Sequence, residues 1–327
     1  MVFRGTGQIA ALALSGLLGL SACQPVPLGH GLGTSSLAVS LTKSTQATTT
    51  TAPGPTGWTL VGGDEFNGAA VDKAKWKPYN NTYGDGNHEL ACLTPNNLVE
   101  GGGALHIRAK KEQVTCPGGK VRQYTSGFIG SREVGKYFPR YARFEIRAKV
   151  PHAQGLWPAF WLRHRSGSSV AEVDVMEYFH ARFPGQGYAT VHLDGRRNLS
   201  KAKVAFESTA SLSGWHTWAV EIAPDADGVR FGFFMDGTKF HSYVDTQHNW
   251  TSADPSATWD IAINQAVGGD WVGAPDDTLG YLRNLNRCSR GGVAPNGCVT
   301  TGINRVDWSD PADSTYSVDY VRVFTRP

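Results

Sequence analysis

From residue 58 onward the chain consists of short apolar runs separated by Gly, Pro, Asn and Asp, with no apolar repeat long enough for a helix. This pattern is typical of an all-β protein. Residues 141–150 alternate polar and apolar side chains without a break, which predicts a strand with one face in water and one in the core. With 327 residues, 40% of them hydrophobic, the chain can form one large β domain with appendages or two small domains.

Three later runs predict a meander of neighbouring strands. Residues 218–222, 229–235 and 238–243 are separated by a turn at 224–228 and by Asp236-Gly237, a pair typical of two-residue hairpin turns. Sheets made of such strands bury their apolar faces by packing on each other. The sequence therefore predicts a β-sandwich.

One apolar, β-branched run contains three carboxylates, Glu172, Asp174 and Glu177. This composition suits a strand that lines a cleft better than a solvated surface. In a regular strand Glu172 and Asp174 share a face, and Glu177 points to the other side. A one-residue β-bulge at Val175 or Met176 would return Glu177 to the face of the other two acids.

The spacing of the two glutamates suits glycoside hydrolysis. With the bulge, the Cα atoms of Glu172 and Glu177 are roughly 13 Å apart at ~3.3 Å per residue. Side chains that lean inward would reach the ~5–5.5 Å carboxyl separation of retaining glycosidases, in which one acid is the nucleophile and the other the general acid/base. Asp174 would lie between them, keeping one glutamate protonated and orienting the nucleophile. The alternative is a salt-bridged strand on a polar sheet face.

The N-terminus predicts export. Arg4 and the apolar run at residues 9–20 resemble a secretory signal, and this run is too short to span a bilayer. The Leu-Ser-Ala-Cys sequence that ends at Cys23 resembles a bacterial lipobox, whose cysteine is lipidated. An ordinary cleavage site with a chance cysteine is the alternative. We predict a lipoprotein signal peptide and lipobox at residues 1–23, and hence an exported cell-envelope protein anchored to a membrane.

Residues 24–57 are rich in Ser, Thr and Pro and have few large apolar side chains, which predicts a disordered linker. The linker would tether the domain at residues 58–327 within reach of an extended polymer. The formal net charge of +3 is too small to favour nucleic acid or another polyanion as a partner. We therefore expect a neutral partner.

The chain has five cysteines, an odd number that would leave a free thiol in an oxidising compartment. Lipidation of Cys23 leaves an even set of Cys92, Cys116, Cys288 and Cys298. Three pairings of these four are possible, and the two local closures, 92 with 116 and 288 with 298, are favoured. No C-x-x-C pair occurs, which argues against a zinc site.

Several blocks accompany the acidic run in the order Asp64-Glu65-Phe66-Asn67-Gly68, Asn87-His88-Glu89-Leu90, Tyr124-Thr125-Ser126-Gly127, Gly155-Leu156-Trp157-Pro158-Ala159-Phe160-Trp161-Leu162, Ala266-Val267-Gly268-Gly269 and Val318-Asp319-Tyr320-Val321-Arg322-Val323. Together they resemble glycoside hydrolase family 16 in its laminarinase-like, endo-β-1,3-glucanase branch. The resemblance covers about residues 58–327 and implies a jelly-roll sandwich of two antiparallel sheets with a concave substrate cleft. It also implies that Glu172 is the nucleophile, Asp174 its assistant and Glu177 the acid/base.

The resemblance and the strand alternation together suggest a set of substrate-binding residues: Trp157, Trp161, Asn87, Glu89, His192 and Trp271. The two tryptophans of the aromatic block share a strand face, where they could stack on sugar rings or pack in the core. The histidine could contact Asp174 or a sugar, or it could be structural.

Family members often carry one calcium ion away from the cleft. The resemblance places it at Glu65, the carbonyl of Gly103 and Asp319, where it would stabilise the sandwich. Catalysis by two carboxylates is expected to need no cofactor.

Three departures from the family pattern leave the linkage preference open. Residues 163–171 lack the Trp-Pro and glycine usual in laminarinases, Phe128 stands where an arginine is common, and Ala91-Cys92 replaces a polar-aromatic pair. Residues 281–314 form an insertion that could wall one end of the cleft or be a surface decoration. We predict a secreted, monomeric retaining endo-glycosidase acting on a polysaccharide, with β-1,3-glucan as the favoured substrate. The alternatives are a mixed-linkage β-1,3-1,4-glucanase, a galactan-cleaving relative, a transglycosylase, and a non-catalytic glucan-binding protein on the same sandwich, although such proteins typically lack the glutamates.

Overall fold

The computed structural model of the chain describes residues 54–165, 172–178, 187–192, 214–246, 258–275 and 305–327. These ranges contain seventeen β-strands, and their helical segments are short 3-10 turns at Tyr83–Asn87, Pro95–Asn97, Arg132–Val134 and Pro311–Ser314. The predicted all-β class is therefore confirmed. The described ranges contain no helix of the length and apolarity needed to cross a membrane. The predicted signal peptide, the lipobox and nearly all of the linker lie outside these ranges.

The larger sheet has eight strands. Their order is β15 (Thr238–Asp245), β14 (Gly228–Met235), β13 (His216–Asp225), β9 (Arg143–Lys149), β17 (Thr315–Thr325), β5 (Ala104–Arg108) and β4 (Leu98–Gly101), with β1 (Thr59–Asp64) paired to β17.

The second sheet has six strands and carries the acidic run. Their order is β12 (Gly187–His192), β11 (Glu172–Tyr178), β10 (Leu156–Arg165), β16 (Thr258–Val267), β8 (Phe128–Gly130) and β2 (Lys77–Pro78). A small third sheet consists of β3 (Ala91–Leu93), β7 (Val121–Ser126) and β6 (Lys110–Thr115).

A disulfide joins Cys92 in β3 to Cys116, directly after β6. One of the two favoured pairings is therefore confirmed. The other cysteines, Cys288 and Cys298, lie outside the described residues, as does most of the insertion at 281–314.

The two large sheets pack on each other through one cluster of fully buried side chains. The larger sheet contributes among others Phe144, Ile146, Phe231 and Val321, and the six-stranded sheet contributes Phe160, Leu162, Val173 and Ile261. Full burial of each such side chain stabilises the fold by about 1.5–3 kcal/mol. The predicted β-sandwich is confirmed, and its six-stranded half has one face in this core and the other face turned away from it.

The predicted meander corresponds to three consecutive antiparallel strands, β13, β14 and β15. Asp236 and Gly237 form the β14–β15 turn, with φ angles of 47° and 77°. Both residues thus have the left-handed backbone that a type I′ hairpin turn requires, as the Asp-Gly pair predicted.

The prediction that residues 141–150 have one face in water is wrong for two side chains of β9. Arg143 and Glu145 are only 5% and 8% exposed. An Arg143 nitrogen lies 2.6 Å from Glu145 and another 2.9 Å from Glu221 on β13, while the Tyr320 hydroxyl of β17 donates to Glu145 at 2.9 Å. Glu145 lies on β9 itself, but Glu221 and Tyr320 belong to neighbouring strands, which the alternation within a single strand does not reveal.

Candidate active site

Strand β11 contains the one-residue bulge that the sequence predicts. Asp174 and Glu177 are three residues apart, yet they pair with β12 residues that are only two positions apart. The register with β10 also shifts between Asp174 and Met176, which leaves Val175 as the extra residue. The bulge therefore changes which face receives the last acid of the run.

Glu172, Asp174 and Glu177 consequently lie on one face of the six-stranded sheet, because directly paired residues in an antiparallel sheet project to the same side. We call this surface the acid face, and define it as the three acids with their partners on β12, β10 and β16: His192, Thr190, Tyr188, Arg163, Trp161, Ala159, Trp157, Asp260, Ala262, Asn264 and Ala266. Intervening residues of β11, such as Val173 and Tyr178, belong to the core on the other side.

Asp174 is the least exposed of the three acids on this face, and its partner is a histidine. Its side chain is 8% exposed, and Nε2 of His192 lies 3.0 Å from its Oδ2 atom. The same nitrogen lies 4.0 Å from Oε1 of Glu172, whose side chain is 38% exposed. The first of the contacts expected for His192 is therefore present, and it links two neighbouring carboxylates.

Glu177 has a different partner. Its Oε1 atom accepts a hydrogen bond of 3.0 Å from the indole Nε1 of Trp157. The Trp157 ring is 8% exposed and packs with Ala266 and Val272, with Tyr188 beside them. The structure thus places Trp157 on the acid face as predicted, but as a buried neighbour of Glu177 rather than an open platform.

Burial, more than any other influence, raises the pKa of Glu172 to about 7, and the negative charge of Asp174 acts in the same direction. The charges of His192 and Arg163 act against these influences. The carboxyl of Glu172 is therefore poised to change its ionisation near neutral pH.

Burial also raises the pKa of Glu177 well above its usual range, and the charges of Asp174 and Glu172 raise it further. The hydrogen bond from Trp157 acts in the opposite direction. Both glutamates therefore keep their protons to a higher pH than an exposed glutamate does.

The predicted residue Trp161 lies directly beside Asp174 on the acid face. It is 9% exposed, and its indole nitrogen donates to Oδ1 of Asn264 at 2.8 Å. Its ring centroid lies 6.0 Å from that of Phe128 and 6.4 Å from that of Tyr83, which is 50% exposed. An aromatic surface thus extends from the acids across β16 towards β8.

The other predicted sugar-binding residues lie on two joined loops at the end of the acid face. Asn87 donates to Glu89 at 3.4 Å, and the Asn87 carbonyl accepts from the amide of Asp270 at 2.9 Å. The next residue, Trp271, is 48% exposed. Burial raises the pKa of Glu89 to about 7. The backbone N–H of Leu90 donates to the carbonyl of Val267, the last residue of β16, at 2.7 Å. The loops therefore adjoin the Trp157 end of the acid face.

The sequence analysis missed a buried ion pair on this face. Arg163 and Asp260 are 6% and 0% exposed, and Arg163 nitrogens lie 2.6 and 2.7 Å from Oδ1 of Asp260. Arg132 lies 2.7 Å from the other oxygen. Arg163 could have been placed on the acid face by alternation from Trp161. Asp260 could not, because its position depends on the register between β16 and β10.

The residues predicted to hold calcium do not fit the ion as they are placed. Arg322 binds Oε1 and Oε2 of Glu65, both at 2.8 Å. A guanidinium nitrogen of Arg147 likewise binds Asp319. Calcium binds through carboxylate and carbonyl oxygens, and here both carboxylates already have an arginine as their partner.

The family model "Glycosyl hydrolases family 16" matches residues 75–281. The chain is 30% identical over 252 residues to glucan endo-1,3-beta-glucosidase A1 of Niallia circulans, an alignment that covers 69% of this chain and 36% of that protein. It is 31% identical over 239 residues to a beta-glucanase of Rhodothermus marinus, which covers 66% of this chain and 78% of that protein.

Solved structures show the same fold. The endo-beta-1,3-glucanase from Pyrococcus furiosus superposes with a TM-score of 0.63 and 26% identity, covering 83% of this chain and 95% of the other. The laminarinase catalytic domain from Thermotoga maritima gives 0.59 and 26%, covering 83% and 99%. The family match and the jelly-roll fold agree with the geometry of the acid face: the chain belongs to family 16 of the glycosyl hydrolases and is a glycoside hydrolase.

Proposed function

We propose that the chain is a retaining endo-glycosidase that hydrolyses internal β-1,3 linkages of a β-glucan. The observation that carries the mechanism is the bulge at Val175, which brings Glu172, Asp174 and Glu177 to one face. The names of the relatives from Niallia circulans and Pyrococcus furiosus support a β-1,3-glucan as the substrate. The presence of both glutamates argues against a non-catalytic glucan-binding protein.

In the first step Glu172 is the nucleophile and Glu177 the acid. A carboxylate oxygen of Glu172 bonds to the anomeric carbon while the bond from that carbon to the glycosidic oxygen breaks. The departing oxygen takes the proton of Glu177. The raised pKa of Glu177 supports its role as the acid, because a carboxyl that keeps its proton near neutral pH has a proton to transfer.

In the second step Glu177, now ionised, takes a proton from water as the water oxygen attacks the anomeric carbon. The bond between this carbon and Glu172 breaks, and Glu172 leaves as a carboxylate. Both glutamates return to their starting states, and two inversions give net retention at the anomeric carbon. The reaction as proposed needs no cofactor, since the two carboxyls supply both the nucleophile and the proton.

Asp174 supports both glutamates through its charge. It raises the pKa of each, so that Glu177 stays protonated before the first step. The hydrogen bond with His192 holds the Asp174 carboxyl in place beside Glu172. His192 would thus act on the nucleophile through Asp174, and its own contact with sugar is not required.

The test of this function is product sizing on a panel of polysaccharides: laminarin, lichenan, agarose and carrageenan. We expect laminarin to yield oligosaccharides of several lengths at early times, as cleavage at internal bonds requires. Glucose as the only early product would contradict endo cleavage, and intact laminarin would contradict the proposed substrate. A Glu172→Gln variant is the control for contaminating activity.

The same panel decides between the favoured linkage and the two alternatives. Phe128 occupies an acid-face edge where the family commonly has arginine, and its ring stacks on Tyr79 at 4.1 Å. The Phe128 side chain is only 1% exposed, so at this position a buried ring takes the place of a charged side chain. Faster cleavage of lichenan would establish a mixed-linkage glucanase, and cleavage of agarose or carrageenan a galactan-cleaving enzyme. Products longer than the substrate oligosaccharides would reveal transglycosylation.

We also propose that the protein is exported as a monomer and anchored to a membrane through a lipid on Cys23. The support is the lipobox-like sequence that ends at this cysteine. Fractionation of cells expressing the full chain tests the anchor. A Cys23→Ala variant should leave the membrane fraction, and continued membrane association would contradict the proposal.

A further inference from the structure

The carboxyl of Glu177 is held asymmetrically. Its Oε1 atom accepts the indole N–H of Trp157 at 3.0 Å, and among the described residues this is the hydrogen bond that the carboxyl makes. Trp157 is fixed in place by Ala266 and Val272, with which it forms a small buried cluster. The donor is therefore held in place, and it donates to only one of the two carboxyl oxygens of Glu177.

We propose that Trp157 is a positioning residue that confines the acidic proton of Glu177 to Oε2, the oxygen that then transfers it to the departing sugar. This inference rests on the proposed role of Glu177 as the acid/base. It replaces the open sugar platform expected for Trp157 by a role in directing proton transfer.

The chemistry follows from the two forms of the carboxyl. A neutral carboxyl has one carbonyl oxygen and one hydroxyl oxygen, and an N–H group donates best to the carbonyl oxygen. Because Trp157 donates to Oε1, the hydroxyl group of the neutral carboxyl lies at Oε2. After proton transfer the group is an anion, and the same N–H donates to a charged acceptor, which makes a stronger bond. The indole thus favours the direction of transfer and stabilises the base of the second step.

The surrounding charges make this donor important. Asp174 and Glu172 on β11 are both negative neighbours of Glu177, while the cationic groups, His192 on β12 and Arg163 on β10, pair with residues at the Glu172 end of the strand. Tyr188 on β12 is the cross-strand partner of Glu177. Of the groups around Glu177, Trp157 is the one shown to donate a hydrogen bond to its carboxyl. This bond offsets part of the cost of burying the ionised form.

The test compares Trp157→Phe with Trp161→Phe. Both indoles lie on the same face of β10 and both donate a hydrogen bond, but Trp161 donates to the neutral amide of Asn264. For Trp157→Phe we expect kcat/KM on laminarin to fall about tenfold. The basic limb of its pH profile should move to higher pH, because removal of a donor to the anion raises the pKa of the acid. Trp161→Phe should leave this limb in place, whatever it does to KM.

A substrate with a good leaving group sharpens the test. A dinitrophenyl glycoside of a β-glucan oligosaccharide needs little acid assistance, so its kcat/KM should be nearly unchanged in Trp157→Phe. An equal loss on both substrates with an unmoved basic limb would overturn the proposal and leave Trp157 a structural role. If Glu177 itself were not the acid/base, a Glu177→Ala variant would show no rescue by azide, which separates that failure from this one.

A measurement on the unaltered side chain keeps the proposal testable even if Trp157→Phe does not fold. The indole N–H resonance of Trp157 should shift in NMR spectra as Glu177 titrates. The resonance of Trp161 should not follow this titration, and the Trp157 shift should vanish in Glu177→Gln. A Trp157 resonance that ignores the titration would contradict the hydrogen bond on which the inference depends.

Discussion

The outer face of the eight-stranded sheet and the acid face of the six-stranded sheet both bury charged groups, but they combine them differently. On the outer face, Arg143 lies between Glu145 and Glu221, with nitrogen–oxygen distances of 2.6 and 2.9 Å. On the acid face, three carboxyls follow one another along β11. His192 contacts Asp174, whereas Arg163, the cross-strand partner of Glu172, forms its ion pair with Asp260.

This difference separates a charge arrangement that maintains the fold from one that performs chemistry. Two buried groups of opposite charge stabilise each other's ionised form. Removing one of them leaves the other as a buried charge without a partner. Like charges in a buried site cannot all ionise, so at least one keeps its proton at neutral pH. Neutralising the acids of β11 should therefore cost activity, whereas neutralising the charges of the outer face should cost stability.

The largest expected effect is the loss of activity in Glu172→Gln. Removing the nucleophile should lower kcat on laminarin by about a thousandfold or more, since no other carboxyl is aligned to replace it. Thermal unfolding should stay within a few degrees of the wild type or shift upward, because a carboxyl crowded by like charge has been removed.

The matched control is Glu221→Gln on the outer face. This variant should keep the wild-type kcat and unfold at a lower temperature. Activity near wild type in Glu172→Gln would remove Glu172 from the nucleophile role and end the contrast between the two faces.

The next effect in size is a loss of stability in Arg143→Ala. The change leaves Glu145 buried without its cation, and breaking a buried pair in this way costs about 3–5 kcal/mol of the free energy of unfolding. Denaturant unfolding measures the loss. The kcat of the folded fraction should be unchanged, so a parallel fall in kcat would show that the outer face supports the chemistry after all.

A smaller effect is expected from Asp174→Asn, which removes one charge from the acid face at constant shape. Asp174 raises the pKa of both Glu172 and Glu177. Both limbs of the pH profile should therefore move to lower pH, and kcat at neutral pH should fall about ten- to a hundredfold. Limbs that stay in place with an equal loss of kcat would indicate that Asp174 acts through orientation alone.

How much of this site the sequence predicts depends on the range of the interactions. The hairpin followed from Asp236-Gly237, because a two-residue turn is local. The spacing of Glu172, Asp174 and Glu177 left both a regular strand and a bulge open, and the family resemblance favoured the bulge. The pairing of Arg163 with Asp260 was not predictable, since it requires the register of strands that are far apart in sequence. The contact between Trp157 and Glu177 was missed for the same reason.

The smallest predicted effect is the pH dependence of stability. The folded-state pKa of Glu172 is raised to about 7, so the folded protein binds more protons than the unfolded chain below that pH. The stabilisation is then fully present below the unfolded pKa, near 4.5, and is lost as the pH rises through about 7. Because the Glu172 side chain is 38% exposed, solvent screening reduces the loss to about 1 kcal/mol. In Glu172→Gln this part of the dependence, followed by denaturant unfolding, should disappear; an unchanged slope would contradict the raised pKa.

The proposed mechanism depends on the bulge of β11, which aligns Glu172 as the nucleophile beside Glu177 as the acid. Trapping the covalent intermediate tests it most directly. The protein is incubated with a 2-deoxy-2-fluoro β-glucosyl oligosaccharide that carries a good leaving group, digested, and analysed by peptide mass spectrometry. We expect one fluoroglycosyl group per chain, attached to Glu172. Attachment to Asp174 or Glu177, or turnover to an α-configured product with no attachment, would contradict it.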